Sequence, residues 1–147
     1  MEDTSNLKTM RILFRAVGAV ERIVKKDIKK YSLTVNEFTA LEALYTKGTI
    51  TVNDLCSVVL IPNSSMTYVL DKLEEKELIH RIQDADDKRT FHIELSENGL
   101  KTANDIFPKH YQTMSKVFSV LSKDEQDILN TYLKRLGYHA VDMEELI

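Results

Sequence analysis

The spacing of the apolar residues changes once along this chain, and that change limits the fold more than any other feature. From Leu7 to Leu73, and again beyond Ser96, apolar side chains return at steps of three and four, the spacing of a helix face. Between them, Leu78–Gln83 and Thr90–Leu95 read as two short strands. The second alternates cleanly, with Phe91, Ile93 and Leu95 on one face and Thr90, His92 and Glu94 on the other. The loop between them, Asp84–Arg89, is charged and turn-rich. A mainly α chain (α+β) with one small hairpin is the expectation. With only 4 Gly and 2 Pro there is little material for a many-turned all-β fold.

The helix signals fall in a definite order. Leu7, Met10, Phe14, Val17, Val20, Val24 and Ile28 give one long helix over 7–30. Thr34-Val-Asn-Glu37 has the form of a capping box and opens a second helix, with Phe38, Leu41, Leu44 and Tyr45 inward and Gly48 as its stop. Thr51-Val-Asn-Asp54 repeats the start signal for a short helix to about Val59, with Leu55, Val58 and Val59 apolar. Ile61-Pro62-Asn63 breaks the chain, and Asn63 caps a helix from Ser64 to about Glu77 whose inner face is Met66, Val69, Leu70 and Leu73. A short helix, a tight turn and a longer helix with a small-polar start have the spacing of a helix-turn-helix, and a hairpin directly after it is a wing. Ser96 caps a helix of about 97–121, which Pro108 should kink or split. Ser122-Lys-Asp-Glu125 opens a last helix ending at Gly137. One domain over 1–147 is expected, with the winged helix-turn-helix at 34–96 and pairing helices at 1–31 and 97–147.

Composition narrows the function classes. No run approaches the roughly 18 apolar residues of a membrane span. The first residues carry acids where a secretion signal has bases. The one cysteine, Cys56, cannot close an internal disulfide, and a reducing cytoplasm is the expected location. The net charge of −3 argues against a partner held by phosphates alone. The charge is uneven, however. Lys8, Arg11, Arg15, Arg22, Lys25, Lys26, Lys29 and Lys30 in the first helix face only Glu21 and Asp27 as acids, while Asp142, Glu144 and Glu145 crowd the end.

Asp87-Lys-Arg89-Thr-Phe-His-Ile93-Glu-Leu95-Ser96-Glu-Asn-Gly99 carries every fixed position of the pattern D-x-R-x-x-x-V/I-x-L-T/S-x-x-G. Ser64-Ser-Met-Thr67, then Leu70-Asp-Lys-Leu73 and Leu78-Ile-x-Arg81, precede it in the right order. Together they resemble the MarR family of bacterial transcriptional regulators over essentially the whole chain. One departure is Glu77, where that family usually has a helix-ending Gly. Asp105-Ile-Phe-Pro-Lys-His110 and Tyr132-Leu-Lys-Arg-Leu-Gly137 are similar to its branch of quinone- and hydroquinone-responsive repressors.

The resemblance implies a homodimer on double-stranded DNA at a pseudo-palindromic operator. Asn63, Ser64, Ser65, Thr67, Tyr68 and Lys72 then form the groove-facing side of the recognition helix. Small side chains there let the helix backbone approach base edges and phosphates. Asp87 orients Arg89 for a narrow minor groove, where the potential is most negative. Lys88 and Arg81 are phosphate contacts. Phe14, Phe38, Tyr45 and Tyr111 are candidates to line a crevice for a small aromatic, phenolic or quinone-like effector. Read without the resemblance, the same serines form a solvated helix face, Arg89 is one arm of a surface ion pair, and the rings are core.

No cofactor is expected, and the four scattered histidines show no ligand spacing for a metal. Cys56 reads as a small buried hydrophobe, with a cysteine-based redox-sensing repressor as the alternative. The other alternative is a winged-helix module that docks protein and never touches DNA. An enzyme is not expected, since no phosphate-binding glycine loop, nucleophile elbow or convincing acid–base pair is present.

Overall fold

The computed structural model describes residues 4–59, 61 and 63–147. Pro62, expected to break the chain, and the side chain of Asn63 lie outside the described residues. By contacts the chain forms two compact units, 1–111 and 112–147.

In the first unit, helix α1 (Ser5–Lys29) is exposed along its first half and becomes buried only at Asp27 and Ile28. Helix α2 (Val35–Lys47) starts where its capping box requires. Thr34 Oγ1 accepts from Glu37 N at 3.1 Å, and Thr34 N donates to Glu37 Oε2 at 3.1 Å. It stops at Gly48, whose φ of +78° suits a residue without a Cβ. Strand β1 (Ile50–Thr51) was not legible in the sequence, since two residues cannot display a period. Thr51 then caps helix α3 (Val52–Val58) by accepting from Asp54 N. Helix α4 covers Asn63–Glu75, so Asn63 lies within the helix and not before it. Strands β2 (Ile79–Gln83) and β3 (Phe91–Leu95) form the hairpin, and β3 lies between β1 and β2 in an antiparallel sheet.

The core of this unit joins Phe38, Leu41 and Leu44 of α2 to Leu55 of α3, Met66, Val69, Leu70 and Leu73 of α4, and Ile79 and Ile93 of the hairpin. Ile106 and Phe107 of α5 (Glu97–Phe118) complete it. Burial of such side chains stabilises by about 1.5–3 kcal/mol each. Of the two apolar residues at the end of α3, Val58 is exposed and Val59 takes the buried place.

The junction of α4, β2 and α5 explains the end of the sequence signature. Glu77 N donates to Glu74 O and Leu78 N to Leu73 O, the paired bonds of a Schellman turn. That turn needs a left-handed residue, and Glu77 sits there with φ +59°. Buried Ser96 donates from Oγ to Glu77 O at 2.6 Å and accepts from Gly99 N at 2.9 Å, capping α5. A Cβ on Gly99 would fall 1.9 Å from Leu78 O, so the helix can approach the strand only as glycine.

Pro108 does not split α5, which runs unbroken from Glu97 to Phe118. Exposed Pro108 is flanked by buried Phe107 and His110, and that packing holds the helix across the lost backbone bond. In the second unit, Ser122 and Glu125 form the expected capping box of α6 (Lys123–Glu144). Gly137 does not end this helix. A mid-helix glycine costs only about 1 kcal/mol against alanine, and seven residues with ordinary helix-compatible side chains follow it in the helix. No residue of α6 is buried within the single chain.

Candidate nucleic-acid interface

Two elements of the first unit present polar side chains side by side. Along α4, Ser64, Thr67 and Tyr68 are exposed and Ser65 is half-buried. Tyr68 keeps 64% of its surface open, an unusual condition for a large ring that has no structural duty there. The Lys72 ammonium lies 5.5 Å from the centre of that ring and 3.1 Å from Glu75 Oε2. The bond to Glu75 is the main cause that raises the Lys72 pKa above its ordinary value.

The wing loop is ordered by two aspartates. Asp84 Oδ1 accepts from Asp86 N at 2.9 Å and Asp87 N at 3.0 Å, and its Oδ2 lies 2.8 Å from His92 Nε2. The amide of Asp87 first, then His92, holds the Asp84 carboxyl down at about 2. Asp87 Oδ1 in turn accepts from Arg89 N at 3.0 Å and Arg89 Nε at 3.2 Å, and these bonds lower its pKa too. The Arg89 side chain is 93% exposed, so it is aimed by Asp87 and otherwise open to solvent. Lys88 is exposed, and its carbonyl accepts from Gln83 Nε2 at 2.6 Å.

Between wing and α4 lies a cleft of about 590 Å³, whose lining includes Thr51, Asn53, Asp54, Thr67, Arg81, Arg89 and Phe91. Arg81 is not free. Its Nη2 is bonded to Asp71 Oδ1, and its buried Nε sits 3.0 Å from Glu74 Oε2 at an angle that makes that contact electrostatic only. In this conformation Arg81 braces β2 against α4 and is not presented to a phosphate.

The four aromatic candidates separate. Phe38 is buried against Phe107 at 5.1 Å, ring centre to ring centre, and Tyr45 and Tyr111 pack on the same Phe107. Tyr45 Oη donates to Asn104 Oδ1 and Tyr111 Oη to Glu42 Oε1, and burial first, then the charge of Glu42, raises the Tyr111 pKa. Phe14 is exposed on α1, about 20 Å along the helix from Asp27. Beside the rings lies a pair that sequence reasoning missed. Buried Asp27 accepts from His110 Nδ1 at 2.8 Å, and from Tyr31 Oη and Lys30 Nζ at 3.3 Å. The two partners are 83 residues apart, and no spacing rule connects them. Cys56 is half-buried against the core.

A short helix, a turn, a helix with an open polar face and a protruding hairpin that exposes Lys88 and Arg89 define a winged helix-turn-helix nucleic-acid-binding domain. Residues 33–91 match the model of the MarR family. The transcriptional regulator MhqR of Bacillus subtilis is 37% identical over 135 residues, which are 92% of this chain and 93% of that protein. A mutant of MarR from E. coli, complexed with operator DNA, superposes with a TM-score of 0.78 at 19% identity, covering 92% of this chain and 99% of that one. BpsR of Bordetella bronchiseptica, whose DNA binding is described as regulated by 6-hydroxynicotinic acid, gives 0.77 at 22% identity, covering 88% and 98%. The chain belongs to the MarR family of DNA-binding transcriptional regulators. Among the described residues no helix is long and apolar enough to cross a membrane.

Proposed function

We propose that this regulator is a homodimeric repressor that grips a pseudo-palindromic operator and is released by a small aromatic, phenolic or quinone-like effector. In this reading α4 enters the major groove with Ser64, Ser65, Thr67, Tyr68 and Lys72 outward, together with Asn63 at its start. The wing lies along the adjacent minor groove with Arg89 inserted and Lys88 on the backbone. The observation that carries it is the Arg89 side chain, almost wholly exposed yet aimed by the bond from its Nε to Asp87 Oδ1, which also accepts from the Arg89 amide. A surface ion pair gains little from such a geometry, whereas a cation sent into a narrow groove gains direction.

Pairing of two chains is supported by α6, where Leu129, Tyr132, Leu133 and Leu136 are exposed in the single chain, and by Leu7, Met10, Phe14 and Val17 of α1. Effector binding is supported by the rings gathered on Phe107 beside the Asp27–His110 pair, an apolar wall with a polar handle. A ligand that prefers the non-binding conformation by about 1–3 kcal/mol lowers DNA affinity 5–150-fold.

The test is Arg89→Ala on a duplex that the wild-type protein selects from a randomised pool. Binding should weaken by about 1–3 kcal/mol, with less dependence on salt and an unchanged fold. Full affinity in that variant removes the wing from the mechanism. Indifference of the wild-type protein to every duplex at low salt removes DNA altogether.

A further inference from the structure

We propose that His92 is a positioning residue for DNA binding: through Asp84 it fixes the wing loop in the conformation that presents Arg89. The inference rests on the reading of Arg89 as the groove contact and extends it to a side chain that never meets DNA.

The loop needs an outside anchor. Ala85, Asp86, Lys88 and Arg89 are all exposed, so no apolar burial orders it. What orders it is a chain of polar bonds that begins on β3. That strand is the centre of the sheet, paired with β1 on one side and β2 on the other. His92 is its second residue, paired across the sheet with Thr51 and Ile82. Its Nε2 meets Asp84 Oδ2 at 2.8 Å, leaving Oδ1 to receive the amides of Asp86 and Asp87. A carboxylate held only by loop amides could turn with the loop. Held on its other oxygen by the central strand, it cannot. The amide it grips at 3.0 Å belongs to Asp87, the residue whose own carboxylate aims Arg89. Each link has a carboxylate as its acceptor, so the order of the sheet is passed to the cation at the tip. The depressed pKa of Asp84 keeps the central acceptor ionised throughout the physiological range.

The test is a cycle of operator affinities. His92→Leu and His92→Gln are each made in the wild-type protein and in Arg89→Ala, with thermal midpoints measured alongside. His92→Leu should weaken binding by about 5–50-fold and flatten the salt dependence as Arg89→Ala does. His92→Gln, which keeps a side-chain N–H, should return affinity to within about threefold. In the Arg89→Ala background His92→Leu should change affinity by less than about twofold, because the group it positions is gone. An equal loss in both backgrounds overturns the proposal, as does unchanged affinity in the wild-type background. If Arg89→Ala alone leaves affinity intact while His92→Leu reduces it, the groove reading of Arg89 has failed, and the relay to Arg89 fails with it.

Discussion

Glu77→Gly should make this protein more stable, and the size of the gain follows from one backbone angle. Glu77 closes the Schellman turn after α4 with φ +59°, a conformation that costs a residue with a Cβ about 1–2 kcal/mol. Glycine removes that cost but loses more chain entropy on folding, roughly 0.5–1 kcal/mol. The turn's own bonds, Glu77 N to Glu74 O and Leu78 N to Leu73 O, use only backbone atoms and survive the change. So does the bond from Ser96 Oγ to the Glu77 carbonyl. The net expectation is about 0.5–1 kcal/mol of added stability, or a rise of roughly 1–4 °C in Tm for a chain of this size. Glu77→Ala is the control, because it removes the same side chain and keeps the strained angle. The assay is urea unfolding and thermal melting at one fixed protein concentration, since subunit pairing would otherwise move the midpoint. An equal gain from alanine would show that the glutamate side chain, and not the angle, was at fault. A loss of stability with glycine would refute the argument outright.

Two further outcomes can be stated briefly. Gly99→Ala should destabilise by about 3 kcal/mol, because its Cβ would fall 1.9 Å from the Leu78 carbonyl and α5 would have to move off the strand; a circular-dichroism melt within 2 °C of wild type, about 1 kcal/mol or less at this size, would contradict it. The Asp84 bonds should make the wing acid-sensitive. Its carboxyl is lowered from 3.8 to about 2, so its contribution is complete above about pH 4 and disappears as pH falls toward 2. The stability difference between wild type and Asp84→Asn should shrink across that interval, and a difference independent of pH would rule the assignment out.

The parts of the fold that one sequence reveals are those governed by local chemistry. The boxes at Thr34–Glu37 and Ser122–Glu125, and the Thr51 cap, start helices because the bonds they make lie within four residues. The inner face of α4 was legible for the same reason, since Met66, Val69, Leu70 and Leu73 follow the helix period and are all buried. Errors arose at Pro108, where tertiary packing overrides a local preference, and at Gly137, where a mid-helix glycine costs too little to stop the helix. They also arose where a residue's partner lies in another element. Arg81 looks like a free cation in sequence, but the fold folds it onto Asp71 and Glu74. The Asp27–His110 and Asp84–His92 pairs were invisible as pairs, although every residue in them could be read.

The acidic net charge of the chain is compatible with DNA because, apart from exposed Asp86 in the wing loop, the acids nearest the proposed interface already have partners. Asp84 and Asp87 are turned onto loop amides, His92 and Arg89, Asp71 and Glu74 onto Arg81, and Glu75 onto Lys72. Asp54 sits in the first turn of α3, where a helix N-terminus offsets its charge. Exposed Lys88 and Arg89 project from the same loop. A phosphate approaching the wing therefore meets a field set by the tip's two cations, by Asp86 and by acids already compensated, and the sum over the whole chain says little about what it encounters.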